Sequence, residues 1–270
     1  MTSYWLLLTA AILWLSPVIT LAQDQSGIDP EALIERILAV DRAQRERIYD
    51  ITFDAEYVER EDSGDEGVKE KVRFEKKVYV KYLGDTAQYA EEYLAYYKNG
   101  ELQSDETLRS EARDRIEKKK KRKAQDVSFP MLKPFYPEQR ALYDIKYRGV
   151  ADERIDDMVC HLFRVTAGQP ADSLINGDFY VEAENFHLVR VDFTPSKLVK
   201  SMMFKMSRLD MSIRYGSTPE GLWLPRQFDI RGKGKAAFFI GVNFAGTEYY
   251  RIAEINTGLN DSIFEAYHGN

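Results

Sequence analysis

The chain has 270 residues and a net charge of −6, with 44% hydrophobic and 30% charged residues. An acidic balance argues against a general nucleic-acid binder. One cysteine, Cys160, excludes an intrachain disulfide, so a packed core must carry the stability.

In chain order, residues 5–15 form an uncharged apolar run, followed by Ser16-Pro17 and then by small residues at Thr20 and Ala22. The run is shorter than the roughly 20 residues a bilayer span requires. It predicts a signal peptide over 1–22, cleaved near Ala22, and hence export. The remaining 23–270 are read as a single domain. Asp29-Pro30-Glu31 is a helix start: an acceptor for free backbone N–H groups, a proline tolerated in the first turn, and an acid at the positive end of the dipole. Leu33, Ile34, Ile37 and Leu38 then share one face of a helix over 30–47, which needs an apolar partner.

Period-two alternation predicts strands over 51–59 and 68–83. A tyrosine cluster (Tyr89, Tyr93, Tyr96, Tyr97) precedes a turn at Asn99-Gly100. A charged helical insertion is expected near 104–125, with only Leu108, Ala112 and Ile116 as an apolar stripe. Two readings of its Lys118, Lys119, Lys120 and Lys121 stay open: a solvated helix end, or a surface that meets anionic lipid. The aromatic link 129–137 is too apolar to float and should pack across one end of a sheet. Strands are predicted over 143–150, 158–166, 178–183, 188–194, 209–215, 226–232, 236–244 and 248–257, with turns at Asn176-Gly177, Asn185-Phe186-His187, 216–219 and Gly232-Lys233-Gly234. Short strands joined by turns favour an antiparallel meander.

Catalytic and metal motifs are missing. His161, His187 and His268 have no metal-ligand spacing, Cys160 sits in an apolar run, and there is no Gly-x-Ser-x-Gly elbow. Gly232-Lys233-Gly234-Lys235 lacks the spacing of a phosphate loop. No cofactor, no metal and no catalytic residue is therefore expected. The aromatic and methionine content points instead to an apolar cavity on a sheet face, with Phe179, Val181, Val191, Met203, Phe238, Ile240, Val242 and Phe244 as candidate lining; core packing is the competing reading.

The order of elements, the hairpin from Gly177-Asp178-Phe179-Tyr180-Val181-Glu182 into Leu188-Val189-Arg190-Val191, and Gly221-Leu222-Trp223-Leu224-Pro225 together resemble the periplasmic lipoprotein-carrier superfamily, which includes the lipoprotein-sorting chaperones of the Gram-negative envelope. The resemblance implies a mainly β fold with α, a curved antiparallel sheet forming an incomplete β-barrel packed over helices. It also implies a periplasmic location and a cavity for lipid or acyl chains. With catalytic motifs missing, the chain is read as a non-enzymatic carrier or binder of lipids, acyl chains or lipoproteins, and the lysine block offers it peripheral membrane contact. The rivals are an envelope protein-binding or sensor module using the same sheet and, behind it, a secreted hydrolase.

Overall fold

The computed structural model describes residues 28–62, 68–84, 86–121, 131–198, 204–236 and 240–268. The predicted signal peptide, the end of the lysine-rich block, Met203 and Phe238 lie outside the described residues. Among those described, no helix is long and apolar enough to cross a membrane.

The fold is mainly β with α: one curved antiparallel sheet, open at both edges, an incomplete barrel. Chain order runs α1 (Pro30–Arg45), β1 (Asp50–Asp62), β2 (Val68–Leu83), β3 (Thr86–Lys98), the short β4 (Glu101–Leu102), α2 (Asp105–Lys121), α3 (Pro137–Arg140), β5 (Tyr143–Val150), β6 (Cys160–Ala167), β7 (Ile175–Glu182), β8 (Leu188–Pro195), β9 (Phe204–Ser217), β10 (Trp223–Ala236), β11 (Ile240–Ile255) and α4 (Asp261–His268). Among the described residues the sheet has eleven strands in the order β4-β3-β2-β1-β11-β10-β9-β8-β7-β6-β5. Strands β1 to β4 build from the centre to one edge. The chain then crosses through α2 and α3 to the far edge and meanders back until β11 closes against β1.

The start of α1 follows its sequence: Asp29 Oδ1 accepts from the backbone N–H of Glu31 at 3.0 Å, and Pro30 occupies the first turn. Leu33, Ile34, Ile37 and Leu38 are buried on the inner face of the sheet with Phe163, Val165, Phe179, Val181, Val191 and Ile213. Each such side chain contributes roughly 1.5–3 kcal/mol of burial. The aromatic link supplies Phe135, which is fully buried with its ring edge-on to Phe163 and Phe179 at 5.5 and 5.2 Å between centroids. A second cluster joins Ile48, Ile51, Phe53, Val78, Val80, Leu222 and Leu224.

The outer face is covered more locally. Under the C-terminal segment, the Asp50 carboxylate is buried and accepts from the backbone N–H groups of Thr257, Gly258 and Leu259 at 2.9, 2.8 and 3.1 Å. That satisfies three donors and anchors the lead into α4.

Three sequence expectations are corrected. Gly232-Lys233-Gly234 is not a turn but the interior of β10, where the Phe244 ring lies so close over Gly232 that a Cβ would overlap it. Asn176-Gly177 is not a turn either: it lies in β7, where the backbone of Asp192 and Phe193 in β8 leaves Gly177 no room for a side chain. Of the expected strands 236–244 and 248–257, Ala236 ends β10 and the described remainder is one long strand, β11, because Gly246 continues the ladder beneath Tyr57 and Ile230. The tyrosine cluster is strand β3.

Replacing Ile37, which is 1% exposed, by Ala should cost about 2–5 kcal/mol in urea unfolding, whereas Glu35→Ala on the solvent side of α1 should stay within about 0.5 kcal/mol.

Candidate functional site

The inner face divides into three zones. Beneath α1 it is filled. Phe179, Val181 and Val191, three of the residues expected to line a cavity, have 0% exposure and pack on α1 and on Leu132 and Phe135. For them the core reading holds, because the helix and the aromatic link occupy the space a ligand would need. The cavity that does open beside α1 measures about 70 Å³ and is lined by Asp41, Arg45, Tyr82, Tyr215 and Trp223 among others. That volume suits about two waters and not an acyl chain. The Tyr215 hydroxyl lines it, buried and with no hydrogen-bond partner among the described residues, while Asp41 accepts from Tyr136 and from Arg45.

The second zone is polar and lies under α2. Lys76 of β2 is 4% exposed and contacts Glu91 of β3 and, at 2.6 Å, Glu248 of β11. Glu91 also takes Lys119 of α2 at 2.6 Å and the hydroxyls of Tyr89 and Tyr93 at 2.6 and 3.0 Å. Two lysines thus face two glutamates. One turn earlier in α2, the Arg115 guanidinium sits over the rings of Phe74 at 4.2 Å and Tyr57 at 5.3 Å. These contacts lay a highly charged helix on the sheet despite its thin apolar stripe.

Burial acts on Glu91 to raise its pKa, but Lys76 and Lys119 outweigh it and hold the carboxyl far below its usual range. Burial acts on Lys76 in the opposite sense, and Glu248 and Glu91 outweigh it, so this ammonium stays charged. Lys119 titrates below the usual lysine range, through burial and then through repulsion from Lys76. Its side chain is 47% exposed overall, with the ammonium turned inward, 5.7 Å over the Tyr89 ring.

This network was missed in the sequence, although a signal was there. In β2 the inward positions read Phe74, Lys76, Val78 and Val80, so one lysine interrupts an apolar alternation. Glu91 interrupts the tyrosines of β3 in the same way. Of the candidate lysines, Lys118 is exposed, Lys119 is committed to Glu91, and Lys120 and Lys121 complete the backbone of α2.

The third zone is the far end of β9 to β11. Cross-strand pairing sets Leu209, Gly232 and Phe244 side by side, then Met206, Gly234 and Val242, and next to them Met211, Ile230 and Gly246. Gly232 lies beneath the Phe244 ring and Gly246 beneath Tyr57 and Ile230, and over them Met206, Leu209, Met211, Ile230, Val242 and Phe244 form the walls of a shallow trough on the concave face. All six wall residues are only partly buried, and none belongs to a core cluster of buried residues. Val242 and Phe244, named from sequence, sit here. Ile240 opens the same strand.

Other reactive side chains are spoken for. Burial pushes the Cys160 thiol up to about 11, so it is protonated at neutral pH. His161 Nδ1 meets the Tyr147 hydroxyl at 3.0 Å, and His187 stacks on Trp223. Among the described residues, no group of three or more His, Cys, Asp or Glu side chains is placed to hold a metal ion.

No protein-family model matches the sequence, and no curated protein is similar to it. Solved structures are similar in fold. One is a putative outer membrane lipoprotein-sorting protein domain from Vibrio parahaemolyticus, with 10% identity, a TM-score of 0.46, and coverage of 86% of this chain and 97% of that one. A second is a LolA superfamily protein from Nitrosomonas europaea, with 12% identity, a TM-score of 0.32, and coverage of 88% and 97%. A third is the MucA/MucB complex of Pseudomonas aeruginosa, with 9% identity, a TM-score of 0.25, and coverage of 83% and 93%. At these identities and scores the likenesses carry no argument about ligand or partner.

Glu91→Gln should destabilise the chain by about 3–5 kcal/mol at pH 7, because it leaves Lys76 buried with one partner fewer. A depressed carboxyl stabilises the fold above its unfolded pKa of about 4.3, and that stabilisation fades as pH falls below it. The gap between wild type and variant in urea midpoints should therefore shrink from pH 5 to pH 3.

Proposed function

We propose that this chain is a non-enzymatic carrier or binder of lipids, acyl chains or lipid-modified protein in the cell envelope, and that the trough of β9 to β11 is where the apolar ligand lies. The observation that carries the reading is the partial exposure of six apolar wall residues on an inner face that is elsewhere packed by α1 or occupied by α2. Apolar side chains left in water are a standing source of binding energy: about 0.8 kcal/mol for each methylene buried against them. Methionine walls suit a flexible chain, since Met206 and Met211 can adapt to an irregular apolar surface. The predicted signal peptide supports an exported setting.

A second reading, an envelope protein-binding module, is favoured by the outer edge of β5. This strand ends the sheet, and Val150 at its end is 40% exposed, so an extended segment could add there as another strand. Lys146 in mid-strand works against such pairing. A pull-down that returns one stoichiometric protein and no lipid would favour this reading.

Native mass spectrometry after gentle purification should show bound lipid, and a fluorescent fatty acid should bind. Ile230→Asp, at a partly exposed wall position, should weaken that binding at least tenfold while the unfolding midpoint stays near that of wild type. Protein that is consistently ligand-free and indifferent to fatty acid would sink the reading.

A further inference from the structure

The far end of β9 and β10 carries a charge pattern on its outer face that folding alone does not call for. The register sets Lys235 directly opposite Lys205 and Lys233 directly opposite Arg208, with Arg231 opposite Asp210. Directly opposed side chains of an antiparallel pair share a face and lie roughly 5 Å apart, and like charges there oppose folding. Two such repulsive pairs stand next to each other, in a chain whose net charge is −6. All five basic residues are exposed. Among the described residues Arg208 alone of the five has a carboxylate partner, Asp210.

We propose that this end of the sheet is a docking surface for an anionic lipid bilayer. Charge complementarity supplies half of the argument: five cations meet one acid, so the surface is complete only against an anion. The other half comes from the opposite face of the same strand ends, where Met206, Leu209, Val242 and Phe244 stay partly exposed. A soluble polyanion would satisfy the lysines and leave these apolar groups in water. The boundary between head groups and acyl chains takes both at once, because lysine and arginine stems lie along the apolar layer while their charges stay with the phosphates. The surface is distinct from the lysines of α2. It also stands apart from the question of what occupies the trough, although it would bring the trough to the membrane.

The test is co-sedimentation of the purified chain with vesicles of phosphatidylcholine alone and with vesicles containing 30% phosphatidylglycerol. Wild type should bind the anionic vesicles at low salt, leave the neutral ones alone, and dissociate as salt rises. A basic residue near an anionic surface is worth roughly fivefold in affinity. The variant carrying Lys205→Gln, Arg231→Gln, Lys233→Gln and Lys235→Gln should therefore bind anionic vesicles at least about 100-fold more weakly. Its thermal midpoint should equal or exceed that of wild type, because the repulsive pairs are relieved. Fatty-acid binding in solution should survive in this variant, which separates the docking surface from the trough. Equal binding to both vesicle types, no vesicle binding, an unchanged variant, or capture by heparin without capture by anionic vesicles would each overturn the proposal.

Discussion

One helix cannot cover an eleven-stranded sheet, and the rest of the molecule follows from that shortfall. Strands about 4.8 Å apart carry the sheet through an arc of roughly 48 Å, while a helix with its side chains is about 10–12 Å across. The apolar stripe of α1 seals the inner face over β6 to β9, and Ile48, just past its C-terminal end, joins the second core cluster near β1 and β2. Whatever lies beyond needs another solution. On the β1–β3 side the solution is α2. On the far ends of β9 to β11 the described structure places no helix.

The attachment of α2 shows how a helix with almost no apolar surface can be held. Coulomb attraction in a site of low polarity replaces hydrophobic burial, and Glu91 receives lysines from two different elements. The arrangement is sensitive in a way an apolar contact is not, since loss of one partner strands the others. It also requires geometric agreement among β2, β3, β11 and α2, which fixes where the helix lies along the sheet.

Much of this was legible in the sequence. The cap and stripe of α1 and the antiparallel meander follow from local periodicity, which needs no knowledge of neighbours, whereas the open, barrel-like sheet was what the resemblance implied. The failures share a cause. Gly177 and Gly232 read as turn residues because the sequence does not show the Phe193 backbone or the Phe244 ring against them; only strand register does. The same limit sent Phe179, Val181 and Val191 to a cavity, since alternation identifies an inward face but not what fills it. Lys119 read as part of a block open to two readings, a solvated helix end or an anionic-lipid surface, and its partner Glu91 lies 28 positions away in the chain. Lys205 and Lys235 are ordinary surface lysines until pairing sets them opposite each other.

The seam between β1 and β11 has a consequence for how the protein is made. Ile51 pairs with Ile255, so the centre of the sheet joins residues from opposite ends of the chain. Contacts this distant in sequence form late and slowly, because a long loop must close before any ladder forms across it. A chain emerging from the ribosome has β1 early but cannot complete its central seam until the final strand is released. For most proteins such a delay invites aggregation. In a chain exported as its predicted signal peptide implies, the same delay would keep the polypeptide competent for translocation until the last strand arrives on the far side.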